Sequence, residues 1–191
     1  MRAGVLAVAA LLAGCAGGPP PTDWQLNVRG ALAQYQRYYL AGDTPLAERE
    51  FAQARAEIAR TGRADLLARA ELVRCAIRTA SLEFDDCPGF EALRADAGTE
   101  EIAYAEYLAG RSARTATGEP LSRLVAAGVR LKSATITPEG IAGAIDVASS
   151  QGWRRPLLAW LAVQAKRAEE SGDPVALARI RRRMELITTG E

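Results

Sequence analysis

Apolar residues recur every three or four positions along most of the chain, the spacing that lines one face of an α-helix. In Trp24 to Ala41 the apolar positions are 24, 28, 31, 32, 35 and 39; Thr22 with Gln25 makes a capping-box pattern ahead of them, and Gly42 closes the run. Thr44-Pro45 opens a second helix with Ala47, Phe51, Ala54 and Ile58 on one face. A third is predicted from about Arg63 to Phe84, burying Leu66, Ala70, Val73, Ile77 and Ala80, followed by a turn and a short antiparallel helix from Phe90 to Asp96. Thr99 reads as the cap of a helix through Tyr104 and Leu108, and Glu119-Pro120 starts one carrying Leu121, Leu124, Val125 and Leu131. Thr137-Pro138-Glu139 and Asp173-Pro174 are two more start signals, and the last helix turns Leu177, Ile180, Met184 and Ile187 inward. No segment alternates for long enough to make a strand. The predicted fold is all-α, built of antiparallel helical hairpins.

The first residues follow a different pattern. Arg2 precedes about ten apolar residues, the layout of a secretory signal. A spanning helix needs roughly 20 apolar residues, and Gly17-Gly18-Pro19-Pro20-Pro21 stops this run well short. Leu12-Ala13-Gly14-Cys15 resembles a lipobox, the bacterial motif in which the cysteine thiol takes a diacylglyceryl group before cleavage. The resemblance implies a signal peptide over 1–14, a lipidated Cys15, a Gly/Pro tether over 15–22 and a helical domain over 23–191. Three acyl chains anchor firmly where one holds only marginally. Ala16 follows the cysteine, and in enteric bacteria lipoproteins without Asp there generally move to the outer membrane; the expected location is its periplasmic face, with the inner membrane as the alternative.

Charge changes the picture mainly by exclusion. The 24 basic and 23 acidic residues leave a net charge of +1, so no global field draws nucleic acid, and none is expected as a partner. There is no histidine, which removes the commonest general base and metal ligand and every Ser-His or Cys-His pair. No cofactor, metal or catalytic residue is assigned. With Cys15 acylated, Cys75 and Cys87 remain; an even pair in an oxidising compartment favours a disulfide over two free thiols.

Tyr38, Gly42, Ala47, Phe51 and Ala54 stand at the spacing of the second half of a tetratricopeptide repeat, and Gly172-Asp173 with Leu177 and Met184 echoes it. Against that resemblance, Ala31, Gln34 and Tyr35 replace the usual first-helix residues, and the two Gly-Asp turns lie 130 residues apart, short of four 34-residue periods. The architecture is therefore either a tetratricopeptide-like solenoid or an irregular helical bundle. The repeat resemblance implies a concave peptide-binding face lined by Arg29, Leu32, Gln36 and Tyr39, with Leu32 equally able to serve the core.

Two further patches carry candidate chemistry. Arg179, Arg182 and Arg183 share a face of the last helix, either meeting a partner's anions or forming a solvated basic end. Trp153 precedes a helix that holds Trp160; one of the two is a candidate for exposure and binding, with Trp160 the better core residue. Glu83, Asp85 and Asp86 lack the spacing of a calcium loop and read as turn chemistry. Glu170-Ser171 resembles the catalytic pair of lytic transglycosylases, but the other motifs of that family are missing and a Gly-Asp-Pro turn follows. The functional expectation is an interaction scaffold or accessory factor of an envelope assembly (secretion, pilus or export machinery), with a cell-wall enzyme or envelope ligand-binding protein as the alternative.

Overall fold

The structure, a computed structural model, describes residues 21–189. The signal segment, Cys15 and all of the tether but its last two residues lie outside the described residues. Nine α-helices appear, and no strand, among those described: α1 Asp23–Ala41, α2 Thr44–Ala59, α3 Ala64–Ala80, α4 Pro88–Glu91, α5 Thr99–Leu108, α6 Pro120–Lys132, α7 Pro138–Ser150, α8 Arg154–Glu170 and α9 Pro174–Thr189. The all-α reading holds. No described helix is long and apolar enough to cross a membrane.

The caps explain most boundaries. Thr22 and Gln25 form the predicted capping box, satisfying the first free N–H groups of α1. Gly42 ends that helix at φ 103°, a left-handed angle that costs glycine little. Asp43 caps α2 by accepting from the Leu46 amide, and Thr137 caps α7 by accepting from Gly140.

Three boundaries differ from expectation. The third helix stops at Ala80, four residues before Phe84, because Leu82 adopts φ 61° and closes a Schellman motif: Leu82 N–H donates to Thr79 O and Glu83 N–H to Arg78 O. A leucine in the left-handed position carries no sequence signal for such a stop. The short helix predicted over Phe90–Asp96 is α4 followed by a separate 3₁₀ turn, Arg94–Asp96, with Leu93 out of helical geometry between them. Thr99 is the first residue of α5, and Gly98 holds the cap position.

Two cores share α3 as a wall. Ala70 and Ile77 face α1 and α2, packing with Tyr35, Tyr39, Leu40, Phe51 and Ile58. Ala68, Leu72, Cys75, Ala76 and Ala80 face the larger core, where Phe90, Leu124, Ile145 and Trp160 are buried. Gly128 lets α6 lie directly against Thr79 of α3; a Cβ there would strike the Thr79 carbonyl. From α6 to α9 each helix packs on the next, as in a solenoid, but α1 also packs on α8, as in a bundle.

That closure is polar. Arg155 donates to Tyr39 O at 2.7 Å and to Glu83 at 2.9 Å, and its guanidinium lies 4.2 Å from the Tyr39 ring centre. Tyr39 donates its own hydroxyl to Glu83. The Cys75–Cys87 disulfide, the pair that the sequence favoured, has Cα atoms 5.8 Å apart and staples α3 to Cys87, the N-cap of α4.

Candidate binding groove

The N-terminal half of α1 and the C-terminal half do different jobs. Ala31, Tyr35 and Tyr39 repeat at four-residue spacing and are buried. The neighbouring stripe, Trp24, Val28 and Leu32, is only partly buried. With Gln25 and Arg29 it forms one wall of a cavity of about 340 Å³ whose other wall is α3, through Leu66, Arg69, Ala70 and Val73. A second cavity, about 430 Å³, lies between α3 and α5 and shares Arg69 and Val73 with the first. Together they make one groove along α3, with α1 on one side and Tyr104, Glu100 and Glu101 of α5 on the other.

The groove has an apolar floor and charged rims. Arg69 pairs with Glu101 at 2.7 Å, bracing α3 against α5, and that pairing holds the Glu101 carboxyl below its usual range. Arg114, from the loop after α5, lies 5.2 Å from the Tyr104 ring centre. Burial pushes the Tyr104 hydroxyl up to about 12, reinforced by Tyr107 and opposed by Arg114, so it remains a neutral donor near pH 7. Arg29 and Arg114 have no carboxylate partner among the described residues. Arg29 and Arg114, with the exposed Glu100 also on the α5 side, stand at the rims of an apolar trough, an arrangement suited to a segment bearing apolar side chains and carboxylates set toward the two arginines.

The sequence-predicted site residues are dispersed. Arg29 and Leu32 line the groove. Gln36 is half-buried on α1 and outside the groove lining. Tyr39, expected on a concave face, is a correction: it is 2% exposed, held inside by Phe51's core and by the Arg155–Glu83 contacts. Trp153 holds the N-cap of α8 and packs, partly buried, against both cores; Trp160 is fully buried and donates its indole N–H to Ala80 O. Arg179 and Arg182 are exposed, whereas Arg183 turns aside to donate to the Ser149 hydroxyl at 3.1 Å.

Sequence reasoning missed Trp24, Val28, Leu66, Val73, Tyr104 and Arg114 as groove residues. The available signal was the width of the apolar arc on α1: positions 24, 28 and 32 run beside 31, 35 and 39, and one helix in contact with α2 has no need of both stripes. Glu71 is the one fully buried carboxylate among the described residues, and it is paired with Arg55 from α2. Cys75, Asp85 and Cys87 are the one described cluster of metal-ligating residue types, and both sulfurs are committed to the disulfide. Comparisons with family models, curated proteins and solved structures return no match for this chain.

Proposed function

We propose that this protein is a lipid-anchored periplasmic scaffold, acylated at Cys15 on the periplasmic face of the outer membrane, whose groove between α1, α3 and α5 holds a segment of an envelope partner protein. The observation that carries the reading is the groove itself: an apolar trough rimmed by the unpaired Arg29 and Arg114 and beginning at Trp24, where the tether joins the domain. The segment it fits places apolar side chains over Val28, Leu66 and Val73 and carboxylates toward the two arginines. Signal, lipobox and tether support the anchoring; the absence of histidine supports a non-catalytic role.

The test is affinity purification from detergent-solubilised native membranes after brief crosslinking, with the wild type beside an Arg29→Glu/Arg114→Glu variant. One dominant envelope protein, captured by the wild type and lost with the variant, is expected. Equal capture by both would remove the groove from the account. Fractionation of Cys15→Ala tests the anchor separately: the variant leaves the membrane fraction if Cys15 carries the lipid and stays there if it does not.

A further inference from the structure

The inner face of α9 packs Leu177, Ile180, Met184 and Ile187 onto the larger core. Its outer face is unlike the rest of the surface. Val175 and Leu186, 68% and 69% exposed, are the most exposed large hydrophobic residues described. Arg179 and Arg182 stand between them, exposed and without an ion pair among the described residues. Positions 175, 179, 182 and 186 fall at i, i+4, i+7 and i+11, a single narrow stripe about 16 Å long at 1.5 Å per residue.

The charge pattern decides what this stripe can meet. Two copies packed antiparallel about a two-fold between 180 and 181 would set Val175 on Leu186, but they would also set Arg179 on Arg182. Parallel packing sets each arginine on itself. A second copy is therefore repelled at the centre of its own contact, and the complementary surface is anionic. The helix packs mainly on α8 at the end of the array, so it forms a ridge and not a groove. A ridge with single apolar residues at its ends and cations between them fits a soft planar surface, where aliphatic side chains sink among headgroups and guanidinium groups meet phosphates.

We propose that α9 lies on an anionic phospholipid surface, with Val175 and Leu186 entering the headgroup region and Arg179 and Arg182 contacting lipid phosphates. The proposal rests on the anchored reading for proximity alone: residues 16–22 span at most about 25 Å, which keeps the domain beside the bilayer. Docking of α9 would fix the orientation of the domain on the bilayer.

The probe is vesicles of phosphatidylcholine, alone or with 30% phosphatidylglycerol, and the chain lacking residues 1–14 with Cys15→Ser, so that no acyl group contributes and every described residue remains. Binding by sedimentation is expected for the anionic vesicles alone and is suppressed at 0.5 M NaCl. Arg179→Glu/Arg182→Glu should weaken partition about thirty-fold or more, from the roughly fivefold contribution of each basic residue near an anionic surface. Val175→Ser/Leu186→Ser should weaken it several-fold. Arg123→Glu/Arg130→Glu, the same charge change on exposed positions of α6, is the control and should retain most of the binding; circular dichroism checks that each variant is folded. Equal binding to neutral vesicles, no binding to either, or equal loss in the control overturns the proposal. Loss of a captured protein with the α9 variant, without vesicle binding by the wild type, would assign the stripe to an acidic partner and overturn it as well. Acylation and groove binding are read in other assays, so failure here leaves both standing.

Discussion

The two ends of α1 are both rich in apolar and aromatic residues, Trp24 at one and Tyr35, Tyr38 and Tyr39 at the other, and use them differently. At the C-terminal end Tyr35, Tyr39 and Leu40 are enclosed by α2, α3 and α8; Glu83 and Arg155 satisfy the polar atoms of Tyr39, while the buried Tyr35 hydroxyl has no hydrogen-bond partner among the described residues. At the N-terminal end Trp24, Val28 and Leu32 line a cavity with Ile58 of α2 and with Leu66, Ala70 and Val73 of α3, and among the described residues they stay only partly covered. One helix thus supplies both a closed joint and an open wall. Enclosure by three helices makes structure; partial burial beside unpaired cations makes a surface for something else.

Breaking the closed end should have the largest effect. Tyr39→Ala removes a fully enclosed ring and leaves Glu83 and Arg155 without it, and is expected to cost about 4 kcal/mol by the usual range for aromatic truncation. Urea unfolding measures it; a loss below about 1 kcal/mol would mean that the α1–α8 closure contributes little. Next comes the staple. Replacing Cys75 and Cys87 by serine reopens a loop of 12 residues and should cost about 3 kcal/mol in the chain-entropy model. Non-reducing peptide mapping of protein isolated from cells should recover the Cys75–Cys87 pair, and free thiols at both positions would contradict it.

Alkaline pH separates the two ends without mutation. Burial raises the Tyr35 and Tyr39 hydroxyls well above their ordinary 10.0, and hydrogen bonding to the Glu83 carboxylate raises Tyr39 further. Each is neutral in the fold while its unfolded counterpart ionises near pH 10, so this contribution is complete below pH 10 and is lost as pH rises beyond it. Tyrosinate absorbance from these residues should appear together with loss of helical dichroism. All five tyrosines ionising near pH 10 with the helices intact would contradict the enclosed joint. The smallest stability effect belongs to the open end: Arg29→Glu should leave the unfolding free energy, read from urea titration, within about 0.5 kcal/mol of wild type, as for a surface substitution, while abolishing partner capture.

The helical class and the start signals were legible because they depend on local spacing: the Thr22–Gln25 box, Glu119-Pro120 and Thr137-Pro138; the disulfide was legible from an even cysteine pair in an expected oxidising compartment. The end of α3 was not legible, since Leu82 takes a left-handed angle under tertiary constraint where glycine would have announced it. Tyr39 was misplaced for a related reason. Its partners Glu83 and Arg155 lie 44 and 116 residues away, and no local pattern reveals that they converge. The groove escaped because its walls come from three helices distant in sequence, although the doubled apolar stripe on α1 already exceeded what one contact requires. The outer stripe of α9 was half visible: its arginines were singled out, but Val175 and Leu186 went unremarked beside the inward-facing residues.

The most direct test of the division within α1 is site-specific photo-crosslinking in native envelopes, with the photoreactive residue at position 29 in the groove wall or at position 37, two turns along on the exposed surface of the closed half. The account predicts one dominant protein adduct from position 29 and none from position 37. No adduct from position 29, or the same adducts from both, would contradict it.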